Sequence, residues 1–270
     1  MKAFLHHFNF EFKTGVRNKN LLLMNYLFPL GFFVLMGLVM PQINPLFLEA
    51  MIPAMVVFAI MAAALLGIPD QLVTARENGI FRSYKINGVP VLSILIIPIL
   101  TTLLHLIIVT AIICVAAPLL FKAPAPVNWP GFVLCFIALA LSCTAIAVLI
   151  GVVSPSSRMT VLWSQLLFVP AMLLGGLMIP FSFLPEGARK LALLLPATYG
   201  MNAFNELGMG RTADFSVTGS LVILIISSML ALALAAFLFS WDSRNTKRRA
   251  HPLFGLLVLL PFLAGVLLLT

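Results

Sequence analysis

The sequence predicts an all-α integral membrane protein: a single domain over residues 1–270 with an interfacial N-terminal helix, a six-span core and an extra C-terminal span. Three observations predict it. Of 270 residues, 62% are hydrophobic and only 9% are charged, against about 25% charged in an ordinary soluble domain. A soluble fold with so few polar groups could not cover its apolar surface. A bilayer admits helices or closed barrels, because every backbone polar group must be satisfied within the chain, and the apolar runs here lack the alternation of barrel strands.

The first element is residues 1–20. Phe4, Phe8, Phe12 and Val16 recur at every fourth position, with Lys2, His6, Asn9, Lys13 and Arg17 on the opposite side. Such a helix lies flat on a leaflet, rings buried and cations at the headgroups. The apolar run after it is too long for the core of a cleaved signal peptide.

Residues 21–241 hold six runs to set against the ~20 residues that cross a hydrocarbon core of ~30 Å. They are Leu21–Met40, Ala50–Pro69, Val91–Phe121, Gly131–Val153, Thr160–Pro180 and Ser216–Trp241. Val91–Phe121 exceeds one crossing, so it must tilt, kink at Pro98 or project from the membrane. Residues 252–270 add Leu253–Thr270, 18 residues without a charge, close to the lower limit of ~17. Pro252 and Pro261 count against a span, but a helix lying flat needs a polar face and this one has none. The expectation is a seventh crossing.

Orientation follows from the cations. Counting polar segments alternately, one side holds twelve Lys and Arg: Lys2, Lys13, Arg17, Lys19, Arg76, Arg82, Lys85, Arg158, Arg244, Lys247, Arg248 and Arg249. The other holds four: Lys122, Arg189, Lys190 and Arg211. The richer side is cytoplasmic, which places the N-terminus inside a cell membrane. The net charge of +8 then signals topology and anionic lipid, not nucleic acid.

Much chemistry is absent. There is no G-x-x-x-x-G-K-[ST] loop, no H-E-x-x-H and no G-x-S-x-G, so the sequence points to no cofactor bound by this chain and no enzyme. Cys114, Cys135 and Cys143 lie in apolar runs without metal-ligand spacing and read as small packing residues. Glu49, Asp70 and Asp242 sit at span ends, whereas an ion-driven carrier needs a carboxylate within the membrane. His105 is the one ionisable group deep in a span; it is either a working polar site or a neutral imidazole bonded to a neighbouring helix.

The loop Asp70–Pro90 is too long for a plain turn. Val73, Ile80, Phe81 and Tyr84 form an apolar stripe, and Gln71, Asn78, Arg82 and Lys85 a polar one. This predicts an amphipathic helix ending at Asn87-Gly88. Glu77 falls in the apolar stripe, which favours docking on a protein over an anionic leaflet.

Here the residues resemble a family. Arg76-Glu77-x-Gly79-x-x-Arg82, followed by Gly88-x-Pro90, is similar to the coupling-helix motif of ABC-2 type transporter permeases. Gly175-Gly176-x-x-x-Pro180, then Leu184-Pro185, then Leu195-Pro196-x-Thr198-Tyr199 resembles that family's outer segment, which re-enters the membrane as short helices. Ser83-Tyr84 stands where the family more often has leucines, and the C-terminal run lies outside its six-span plan. The resemblance implies that Arg76, Glu77, Gly79, Arg82, Gly88 and Pro90 meet a separate ABC ATPase subunit, which binds the ATP and Mg. It implies a second permease subunit, identical or related, with export through the interface between the two. It also implies that Gly175, Gly176, Pro180, Pro185, Pro196 and Tyr199 shape the re-entrant segment. Phe and Met in the spans suit an amphipathic drug, peptide or lipid as substrate. A secondary carrier or channel, or a non-transporting assembly factor, are the alternatives.

Overall fold

The apolar runs become helices long enough to cross a bilayer, and their ends fall where the chain can cap itself. The computed structural model describes residues 22–242 and 250–269. The interfacial helix expected over residues 1–20 and the cation cluster Arg244–Arg249 lie outside the described residues.

Six helices have the length and apolarity of spans: α1 (Leu23–Ile43), α2 (Phe47–Glu77), α4 (Val91–Phe121), α5 (Trp129–Val153), α6 (Ser157–Leu174) and α9 (Val217–Leu238). A short helix α3 (Ile80–Ile86) separates α2 from α4. Between α6 and α9 stand α7 (Glu186–Ala192) and α8 (Pro196–Ala203), which runs on through a π turn, Phe204–Gly208. Beyond α9, a 3-10 helix Pro252–Leu259 leads directly into α10 (Leu260–Leu268).

Boundaries differ from the sequence expectation in instructive ways. α2 does not stop at Pro69 but runs to Glu77. Pro69 sits in the first turn after a π-helical stretch, Ala62–Gly67, where its missing N–H breaks no ladder bond. α6 ends at Leu174, not Pro180. Gly175 caps it and Gly176 takes a left-handed φ of 86°, a conformation costly for any residue with a Cβ. α4 carries Pro98 and Pro118 without a break, and the Thr101 hydroxyl donates to the carbonyls of Ile97 and Pro98 at 3.0 and 3.1 Å.

α2 is the hub. Of its apolar stretch 94% is buried, against 28% for α1 and 22% for α6. Its Phe58 stacks on Phe32 of α1 at 4.0 Å between ring centroids and meets Phe28 of α1 and Phe168 of α6 at 5.4 and 5.6 Å. α1 and α6 therefore flank α2 on one side of the bundle. On the other, α5 and α9 run together, joined where the Ser142 and Ser227 hydroxyls meet at 2.7 Å. A small residue permits a further close approach: a Cβ on Gly131 of α5 would stand 2.3 Å from the Leu207 carbonyl oxygen in the π turn after α8.

The C-terminal segment runs the height of the bundle. Gly255 lies against Val153 and Leu149 at the end of α5, Gly265 against Tyr199, and Leu269 against Gly219 at the start of α9. Eight 3-10 residues and nine α residues, at ~2.0 and ~1.5 Å per residue, make about 30 Å. The 3-10 stretch thus lengthens a run that is short by residue count. Pro261 stands in the first turn of α10, where a proline is tolerated.

Candidate functional site

Two constellations were singled out by sequence, and the fold places them at opposite ends. At the basic end, which bears Arg82, Lys85 and Arg158, α2 stops because Gly79 turns left-handed with φ 72°. A single helix through Asn87 was expected. Instead Asn78-Gly79 breaks it and α3 starts afresh, ending at Gly88 with φ 70°. Pro90 then opens α4 as its N-cap. The break splits the expected apolar stripe. Val73 and Phe81 are buried, Tyr84 is half-buried and Ile80 is exposed, as is Ile86 outside the stripe at 86%. Phe81 packs on Phe239 just past α9, 5.4 Å between centroids.

The charged members of the motif separate as well. Glu77, Arg82 and Lys85 are exposed, and Arg82 pairs with Asp242 beyond α9. Arg76 turns inward instead: it is 6% exposed, and its guanidinium donates to the carbonyls of Val152, at 2.9 Å, and Ser154. Those carbonyls belong to the end of α5, whose last turn has no intrahelical donors of its own. Arg76 is therefore a clamp between α2 and α5 and offers no docking surface. The family resemblance grouped it with Glu77, but the closeness of the α5 end, set by tertiary packing, turns it in.

At the far end, Pro180 precedes a 3-10 turn, Phe181–Phe183, Pro185 is the N-cap of α7, and Pro196 opens α8. Each proline stands where its missing N–H costs nothing. Every residue of Pro196–Ala203 is buried. The Thr198 hydroxyl donates to Ala192 O and the Tyr199 hydroxyl to Leu193 O, both at 2.6 Å, so the T-Y pair caps the carbonyl end of α7. Gly175 meets this helix: a Cβ there would lie 2.9 Å from Ala197 Cβ.

Asn202, which the sequence reading passed over, ties α8 to the approach to α9. Its amide donates to Phe215 O at 2.8 Å and Ser220 Oγ at 3.1 Å, and its carbonyl oxygen accepts from Asp214 N at 2.8 Å. The available signal was a polar residue four after Thr198 in an otherwise apolar helix. Burial pushes the Asp214 carboxyl upward, offset in part by the charge of Arg189. Glu49 pairs with Arg211 at 3.3 Å on the same end.

His105 lies in α4, 3% exposed, and its Nδ1 shares a 2.7 Å hydrogen bond with the Tyr26 hydroxyl of α1. The three cysteines are free and buried. Among the described residues no group of three or more His, Cys, Asp or Glu could hold a metal ion.

The family model for the ABC-2 type transporter matches residues 3–207, which takes in both constellations and about three quarters of the chain. The chain belongs to the ABC-2 type transporter family. Comparison with curated proteins and with solved structures gave no match. This is a multi-pass ABC-type permease, the membrane component of a transport system.

The His105–Tyr26 bond joins two spans of the permease, α4 and α1. His105→Gln retains a group able to bond the Tyr26 hydroxyl, so the expected loss of stability stays within about 1 kcal/mol. A dye that fluoresces on reaching the buried thiols of Cys114, Cys135 and Cys143 reads the unfolding midpoint. A larger fall than His105→Leu produces would show that the hydrogen bond is not what the imidazole supplies.

Proposed function

We propose that this permease is the membrane half of an ATP-driven exporter, coupled to a separate ABC ATPase subunit through α3 and the end of α2. One observation carries the reading. α3 exposes Ile80, Ile86 and Lys85, with Glu77 beside them, on a short element bounded by two left-handed glycines, while Phe81 and Arg76 fix its inner side to α9 and α5. Such a mixed apolar and charged surface suits a groove on a protein partner. ATP and Mg would be held by that partner. Six spans make half a translocation path, and the flank shared by α1 and α6, rich in exposed apolar side chains such as Leu35, Leu38, Val161 and Val169, is where a second permease subunit, identical or related, would pair. The substrate class that suits an apolar path is an amphipathic drug, peptide or lipid.

The twelve-to-four asymmetry of Lys and Arg supports a cytoplasmic basic end and N-terminus in the cell membrane. The buried, proline-started α8 supports re-entry of residues 175–203 from the outer face. The ~30 Å run of Pro252–Leu268 supports a seventh span. A cysteine added after Thr270 should then react with an impermeant thiol reagent on intact cells; reaction only after the membrane is opened would show that the segment does not cross.

Glu77→Arg tests the coupling. Reversing an exposed charge opposite a partner puts like charges together, and ATPase copurifying with the permease should fall by about tenfold or more. The thiol-dye midpoint should stay unchanged, since Glu77 packs on nothing buried. Copurification of ATPase at the unmodified level would overturn the docking assignment.

A further inference from the structure

A cavity of about 350 Å³ lies at the basic end between α5, α6 and the 3-10 stretch Pro252–Leu259. Leu149 and Val153 form its floor, Trp163 and Leu166 one wall, and Leu256 and Leu259 the other. The C-terminal segment packs on α5 and α9 and faces α6 across this gap. Leu166 and Leu256 are 61% and 50% exposed, so the gap opens sideways into the hydrocarbon. An apolar cavity of ~150 Å³ already stays dry and takes up benzene; this one has more than twice that volume and the same chemistry. Eight 3-10 residues give it a depth of about 16 Å, close to one leaflet of a ~30 Å core. The occupant by shape is a hydrocarbon chain.

The mouth says which amphiphile carries that chain. Trp163 marks the boundary between the acyl chains and the headgroups, where indole rings settle. Arg158, five residues earlier on α6, is exposed and stands beside Met159, another residue of the lining. Five residues of α-helix rise about 7.5 Å, which takes the guanidinium from the acyl region to the phosphates. Of the described charged side chains near the mouth, Arg76 is held by the carbonyls of Val152 and Ser154, Asp242 is paired with Arg82, and Arg158 is the exposed cation. We propose that this groove binds one acyl chain of an anionic membrane phospholipid from the leaflet at the basic end, with Arg158 on its phosphate. The lipid fills the gap between α6 and the C-terminal segment. The site needs Pro252–Leu268 to cross the membrane, which the labelling of a cysteine after Thr270 tests on its own; it does not depend on which substrate is exported.

Brominated lipids decide it. In a Trp129→Phe, Trp241→Phe form of the full chain, Trp163 is the sole tryptophan, and a brominated acyl chain quenches it on contact. The protein is placed in phosphatidylcholine vesicles holding a minor fraction of brominated lipid, either phosphatidylglycerol or phosphatidylcholine. Brominated phosphatidylglycerol should quench about fivefold more effectively, the factor that one surface cation confers (~1 kcal/mol). Arg158→Gln should bring the two lipids level, and Leu256→Trp, read by native mass spectrometry of retained lipid, should empty the groove. Equal quenching by both lipids in the unmodified groove overturns the proposal. So does displacement of the brominated lipid by an exported amphiphile, which would make the groove a substrate site.

Discussion

Arg76→Met should lower the unfolding midpoint of the permease sharply, and more than any change on the exposed face of α3. The substitution keeps the length of the aliphatic stem but deletes the donors that meet the carbonyls of Val152 and Ser154. Hydrogen bonds from a charged group contribute about 1.5–3 kcal/mol each, and a buried carbonyl left bare costs about 1–3 kcal/mol. The expected total is about 3–5 kcal/mol, or a fall of at least about 5 °C. Arg76→Lys should recover part of it, since an ammonium can reach one carbonyl but cannot span two as the planar guanidinium does. Read by the thiol dye, an unchanged midpoint for Arg76→Met together with lost ATPase copurification would return Arg76 to the docking surface. The contrast with Glu77→Arg, which should spare stability and abolish copurification, separates neighbours that the motif treats alike.

The second large effect belongs to Gly265. A Cβ there would stand 2.1 Å from the Tyr199 hydroxyl and 2.9 Å from Ile223 Cδ1. Either Tyr199 gives up its bond to Leu193 O, or α10 withdraws from α8 and α9. Overpacking of this kind costs about 1–3 kcal/mol, with the lost bond of a buried hydroxyl in addition, so Gly265→Val should destabilise by about 2–5 kcal/mol. Tyr199→Phe removes the atom in the way. In a Gly265→Ala background it should restore part of the midpoint although it is destabilising alone, a coupling that a double-mutant cycle isolates. Additive losses would mean that α10 does not lie against Tyr199.

The six spans were legible because a membrane imposes one signal, uncharged length, that needs no tertiary information. Where charge and burial part company, that signal fails. Asp70, Arg76 and Glu77 end the second apolar run at Pro69 in the sequence, yet the helix continues eight residues further, with Arg76 satisfied by the end of α5. Gly88 was legible as a left-handed turn, since such a turn demands glycine, whereas the same turn at Gly79 was not expected within the helix. The facing of the stripe was missed with it: a period drawn through Gly79 joins Val73 to Ile80, while the turn itself rotates Ile80 outward. The outer segment was visible in its prolines, but the work of Thr198, Tyr199 and Asn202 was not, because their partners are backbone atoms 6, 6 and 13 residues away that no spacing rule selects.

The ties at the end of α2 run to two other spans. Arg76 holds α5, Phe81 rests on the end of α9, and Arg82 reaches Asp242 beyond it. α3 thus sits between two left-handed glycines, with these three links behind it. α2, α5 and α9 are thereby tied together at their basic ends, and α2 itself runs as one helix from Glu77 back to Phe47. The seams that α1 and α6 make with α2 are of another kind, built on the rings of Phe28, Phe32 and Phe168 around Phe58.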